Sequence, residues 1–109
     1  MTVAELVRQL QLTVVTCPSP ERECTGVYIG DLLSWVMGRA QADQVWITIM
    51  SNVNIIAVAS LADVACILLA EGVTLDEELR HVAEEKEINV LSSEHTAYQL
   101  AAALAKLSL

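Results

Sequence analysis

The chain has no Phe, only two Lys among six basic residues, and no apolar run approaching the ~18 residues of a membrane span. Without Phe, the core must be built from Val, Ile, Leu and Ala. Fourteen acidic residues against six basic ones give a formal charge of −8. Nucleic-acid binding is therefore not expected, because it needs a Lys/Arg surface to displace phosphate counterions. An anionic membrane surface is disfavoured for the same reason. Lys86 and Lys106 are the only lysines and no Gly-x-x-x-x-Gly-Lys-Ser/Thr string occurs, so a phosphate-cradling loop is excluded by inventory. Glu5 and Arg8 interrupt any basic-then-apolar opening, so no secretory signal is expected. Cys17, Cys24 and Cys66 are odd in number, the pattern of a reducing cytoplasm.

What the chain does have is aliphatic residues. Apolar side chains make up 54% of its 109 residues, above the roughly 45–50% usual for globular domains. This length fits one domain, residues 1–109, with a core that needs no staples. The apolar surplus over what so small a domain can hide points to self-association, most simply a homodimer.

The segment Val45–Ala59 is the most informative. Two β-branched runs, Val45–Met50 and Ile55–Ala59, flank a polar knot of Ser51, Asn52 and Asn54. Such runs belong to strands buried on both faces, so helices are expected to cover the sheet. If the two runs pair antiparallel, the knot is a hairpin turn, which its shortness favours. If they are parallel, or the knot lies at a strand end, its side chains line the crevice where open α/β sheets bind ligands.

The remaining elements follow from spacing and caps. Thr2-x-x-Glu5 is a capping box opening a helix to about Gln11, followed by a strand at Leu12–Thr16. Cys17–Thr25 holds both prolines and is expected to be a locally disordered loop. A short strand at Val27–Ile29 runs into Gly30-Asp31, where Asp31 is placed to cap a helix to about Ala40. Leu33, Val36, Met37 and Ala40 are expected to face inward, while Leu32 and Trp35 form a second apolar stripe. That stripe is either a wide core face or a partner or ligand surface. Ser60-x-x-Asp63 is expected to cap a short helix at Leu61–Ala65, with a strand at Cys66–Ala70 ended by Gly72. Thr74-x-x-Glu77 opens a helix to about Lys86, Ile88–Leu91 is a strand, and Ser93 caps a last helix through Leu107. Alternating strands and helices with short connections predict a single three-layer α/β domain, a mostly parallel central sheet with helices on its faces.

With this order of elements, the stretches GVYIGDLLSWVM, VWITIMSNVNIIAVASLADVACILLAEG and LDEELRHVAEEKEINVLSSEHTAYQLAAAL, roughly Thr25 to Leu104, resemble the DRTGG domain family. That family resembles the N-terminal domain of bacterial HPr kinase/phosphorylase, and the likeness is closest to its short stand-alone members. The resemblance implies an α/β fold and a regulatory or ligand-sensing role, often with dimerisation. It implies no kinase activity. The five-letter string that names the family is absent here, and Gly30-Asp31-Leu32-Leu33-Ser34 is the nearest equivalent.

Two functional readings result. The first is a cytoplasmic, non-catalytic module, dimeric, that senses a small metabolite or docks on a protein and uses no cofactor or metal. Its contact residues are Gly30, Asp31, Ser34 and Trp35, with Ser51, Asn52 and Asn54 as second choice. The second is a small redox or metal-handling accessory protein, hydrogenase-associated, that uses Cys17 and Cys24. Six residues separate those cysteines, which is not zinc-knuckle spacing. His81 among glutamates reads as a solvated side chain, and His95 lacks an identifiable partner for acid–base work.

Overall fold

A computed structural model describes all residues from Met1 to Leu109. The elements are α1 (Val3–Leu10), β1 (Thr13–Thr16), β2 (Gly26–Ile29), α2 (Leu33–Arg39), β3 (Gln44–Thr48), α3 (Asn54–Ala62), β4 (Cys66–Leu69), α4 (Glu77–Glu85), β5 (Val90–Ser92) and α5 (Ala97–Lys106). The strands form one sheet in the order β1-β5-β4-β3-β2. β2 to β5 are mutually parallel and β1 joins β5 antiparallel.

Stepping β2→β3→β4→β5 in one direction through crossovers of one hand puts α2, α3 and α4 on the same face. Strand alternation divides the core accordingly. Trp46, Ile67, Leu69 and Val90 pack with Val36, Ile55, Ile56, Val58, Ala59 and Ala83 of those three helices. Val45, Ile47, Cys66, Leu68 and Leu91 pack on the opposite face with Val3 and Leu6 of α1 and Leu100 and Leu104 of α5. The three-layer, mostly parallel α/β architecture is thus as the sequence predicts.

The largest departure is the second apolar run. Ile55–Ala59 is not a strand but lies inside α3. Ile55, Ile56, Val58 and Ala59 are buried at helical spacing, yet the helix is apolar nearly all round, so its period is masked. The Asn52 side chain accepts a hydrogen bond from the Asn54 amide at 2.9 Å and turns the backbone into this helix. The knot is therefore a strand-to-helix loop and not a hairpin. Ser60 falls within α3 and Asp63 is its left-handed C-cap, so the expected short helix at Leu61–Ala65 does not form.

Three caps also move. Asp31 does not cap α2, whose N-cap position is Leu32 with no side-chain bond. Asp76 rather than Thr74 caps α4 by accepting from the Leu79 amide at 2.8 Å. Thr96, not Ser93, caps α5, in a capping box with Gln99. The box at Thr2 and Glu5 forms as expected. Met37 is half exposed rather than inward, because α2 is short and only Val36 is fully buried.

The loop from Cys17 to Thr25 is pinned rather than loose. The Arg22 guanidinium meets Asp43 at 2.8 Å and Asp63 at 2.9 Å. The buried Asn89 amide bonds both the Ser19 N–H and its carbonyl, and Cys24 N–H donates to Met1 O at 2.8 Å.

Candidate functional site

Because β2 to β5 run parallel, their carboxyl ends lie along one edge, where α/β sheets hold ligands. The crevice normally opens between adjacent strands whose following helices go to opposite faces, here β4 and β5. In this chain that crevice is closed by main-chain bonds from Glu71 N to His95 O and from Gly72 N to Ser93 O, both 2.8 Å. The neighbouring strand ends, β2 and β3, are where polar and apolar groups are left available.

β2 ends in Gly30-Asp31. The Gly30 amide donates to Ile47 O at 3.2 Å, and its carbonyl accepts from the buried Trp46 indole at 2.9 Å. A Cβ at Gly30 would come within 3.0 Å of the Tyr28 ring, so any larger residue there would have to push that ring aside by a few tenths of an ångström. Asp31 then turns its carboxylate onto β3. Its Oδ1 accepts the Thr48 hydroxyl at 2.7 Å and the Ile49 amide at 3.0 Å, while Thr48 Oγ1 accepts from the Met50 amide at 3.2 Å. The exposed carboxylate is thus fixed in place by the loop it holds. Its negative charge disfavours an anion at the start of α2 and favours donors such as amines and hydroxyls.

Apolar side chains surround this polar junction. Ile29, Leu32, Trp35 and Ile49 are each about half exposed. The Arg39 guanidinium sits 3.7 Å above the Trp35 ring centroid, a cation–π contact that steadies the indole. Ser34 is exposed beside it, at the start of α2. Ser51 and Asn52 follow β3 on the adjacent loop and Asn54 opens α3; Ser51 and Asn54 are exposed and Asn52 is used in the turn. Both sets of sequence-predicted residues therefore fall at the neighbouring ends of β2 and β3, on the loops there and the first turns of α2 and α3, and the Asp31–Ile49 bond joins the two loops. Sequence reasoning missed Thr48 and Trp46 as the groups that organise the site. A threonine within an otherwise aliphatic strand was the available signal for Thr48.

The cysteines lie elsewhere. Cys24 and Cys66 are buried and Cys17 is partly so, all against the α1/α5 layer. Cys24 and Cys66 are neighbours in one core cluster, and Cys17 packs against it. Hydrogen bonding between the two thiols lowers the pKa of Cys24 and raises that of Cys66, which burial raises further. Burial also raises the Cys17 thiol. No three His, Cys, Asp or Glu side chains converge in a metal-ligating group. His81 pairs with Glu85 at 3.0 Å, and His95 Nδ1 lies 3.2 Å from Gln99 Oε1.

The model of the DRTGG domain matches residues 5–107, nearly the whole fold described above. The chain belongs to the DRTGG domain family. Among solved structures it is similar to the CBS and DRTGG domains of the regulatory region of Clostridium perfringens pyrophosphatase, complexed with an activator, diadenosine tetraphosphate. The TM-score is 0.76 at 12% identity, over 94% of this chain and 45% of that one. This DRTGG-family chain thus shares the fold of the part it matches and spans less than half the length of that chain. No curated protein matches the chain. No helix is long and apolar enough to cross a membrane.

Proposed function

We propose that this DRTGG-family chain is a non-catalytic regulatory module that senses a small metabolite or docks a protein partner at the carboxyl ends of β2 and β3. The observation that carries the reading is the Asp31–Thr48–Ile49 junction, a fixed carboxylate ringed by half-exposed Ile29, Leu32, Trp35 and Ile49. A few convergent polar groups in an apolar rim are what ligand sites need for orientation and affinity. Gly30, Asp31, Ser34 and Trp35 are its main contacts, with Ser51, Asn52 and Asn54 on the second wall. The similar structure is a regulatory region holding a nucleotide activator, which supports a sensing role for the fold.

The same surface is suited to self-association. β2 is an edge strand, and strand and helix there both expose apolar side chains. The module is accordingly a dimer of a reducing, cytoplasmic compartment. No ion, cofactor or nucleic acid enters this reading.

Trp35→Ala tests the reading. Sedimentation velocity and partner pull-down are expected to show weakened self-association or partner binding, with the far-UV circular dichroism of the fold retained. An unchanged sedimentation profile together with unchanged pull-down removes Trp35 from the site.

A further inference from the structure

A pocket of about 360 Å³ opens between the end of α1 and the start of α5, sharing no residue with the β2 and β3 strand ends. Gln9 and Gln11 line it from α1, His95 and Gln99 from α5, and Leu100 and Ala103 supply apolar surface between them. Gln9, Gln11 and Gln99 are three of the chain's five glutamines, and His95 is one of its two histidines. The capping box of α5 accounts for Gln99. Gln9 and Gln11 are exposed, and their side-chain amides bond to nothing else in the chain.

The lining disfavours an ionic ligand. No acid, Lys or Arg borders the pocket, although the chain carries fourteen acidic and six basic residues. A phosphate or carboxylate there would lack a cationic partner. The nearby backbone donors are also engaged: Thr96 Oγ1 accepts the Gln99 amide at 3.2 Å, and Ser93 Oγ accepts the His95 amide at 3.1 Å. What the pocket offers is neutral hydrogen-bonding groups beside an apolar surface.

Two of those groups have their roles set by the fold. The Thr96 amide donates at 3.0 Å to the Gln99 side chain, which identifies the acceptor as Oε1. His95 Nδ1 lies 3.2 Å from the same oxygen and must therefore donate to it. The neutral imidazole is left with Nε2 as a bare acceptor, and the Gln99 amide is left with both Nε2 hydrogens as donors. A fixed acceptor beside a fixed donor matches a ligand edge on which an N–H adjoins a carbonyl.

We propose that this pocket binds a neutral planar lactam, the N–H/C=O edge carried by uracil-type bases. The ligand N–H donates to His95 Nε2 and its carbonyl accepts from Gln99 Nε2. Gln9 and Gln11 each present a donor and an acceptor to the opposite edge, and Leu100 and Ala103 take the apolar ring face. Ligand sites span about 300–1,000 Å³, so this one suits a single or fused ring. Its residues are not those of the β2/β3 junction, so either reading can fail while the other stands.

Uracil is the probe, titrated to about 20 mM into the isotope-labelled full chain and followed by amide chemical shifts. Saturable shifts centred on Gln11, His95, Gln99 and Ala103 are expected, with a Kd in the millimolar range usual for so small a ligand. Uracil methylated at both nitrogens keeps its ring and carbonyls but has no N–H, and is expected to bind about tenfold more weakly. Gln99→Glu still accepts the Thr96 amide and preserves the capping box, but it removes the donor. It is expected to weaken uracil about tenfold with the melting temperature retained. His95→Phe keeps a ring, loses the acceptor and is expected to weaken uracil to a similar degree. Equal binding of the methylated base, wild-type affinity in Gln99→Glu, or a shift map centred on Asp31 and Trp35 overturns the proposal. The absence of saturable shifts with uracil does so as well.

Discussion

The Asp31 carboxylate receives the Thr48 hydroxyl at 2.7 Å, so the ends of β2 and β3 are tied by a bond between side chains. The same oxygen takes the Ile49 amide and holds the loop that leads to α3. Asp31→Ala and Thr48→Val are expected to couple by about 1 kcal/mol in a double-mutant cycle read by urea unfolding. If Asp31 acted instead as a helix cap, Asp31→Ser would preserve stability and no coupling to Thr48 would appear.

The two tryptophans are expected to behave oppositely. Trp46 is fully buried and Trp35 is 52% exposed. Removal of the Trp46 indole N–H leaves its bond to the Gly30 carbonyl unmade. Trp46→Phe is expected to cost about 1–3 kcal/mol, while Trp35→Phe leaves stability within about 0.5 kcal/mol. Acrylamide quenching is expected to fall sharply in Trp35→Phe and to persist in Trp46→Phe.

Gly72 holds a φ of +76°, and a Cβ there would lie 2.7 Å from the Glu94 carboxylate. Glu94 is a flexible surface side chain and can swing aside, so the backbone dominates the cost. Gly72→Ala is expected to lose about 1 kcal/mol by thermal melt. Adding Glu94→Ala is expected to recover little of that loss. Full recovery would make the contact, and not the backbone angle, the cause.

The acid limb of stability traces to capping and ion-pair carboxylates. Hydrogen bonds from the Thr2 amide and hydroxyl hold Glu5 below its ordinary value of 4.5, and bonds from Arg80 do the same for Glu77. A carboxylate whose folded pKa is depressed contributes stability above its unfolded pKa and loses it as pH falls through the folded one. The stability gap between the wild-type chain and Glu5→Gln, or between it and Glu77→Gln, is therefore expected to be present at neutral pH. It narrows as pH drops below about 4.5. A gap constant from pH 7 to pH 3 would contradict this.

The layers of the fold were legible because strand alternation and the Thr2–Glu5 box are local signals. Ile55–Ala59 was misread because a helix apolar nearly all round carries no period, and its β-branched residues imitate a buried strand. The cap positions of α2, α4 and α5 were misplaced by one to three residues, since Asp31, Asp76, Ser93 and Thr96 are chemically interchangeable as caps. A tertiary contact removed one of them and a local turn another. Asp31 was claimed by Thr48, and Ser93 accepts from the His95 amide at 3.1 Å. The site residues were legible as small polar groups after strands. Their junction was not, because the Asp31–Thr48 bond crosses 17 residues of chain. Nor could spacing foresee that Cys24 and Cys66, 42 positions apart, would be neighbours in one core cluster.

Native mass spectrometry of the chain purified from its host tests the central claim most directly. The expected spectrum is a dimer carrying a retained small molecule or protein partner that is lost in Asp31→Ala and Trp35→Ala. A bare monomer, or an adduct that both substitutions leave untouched, would contradict a binding site at the ends of β2 and β3.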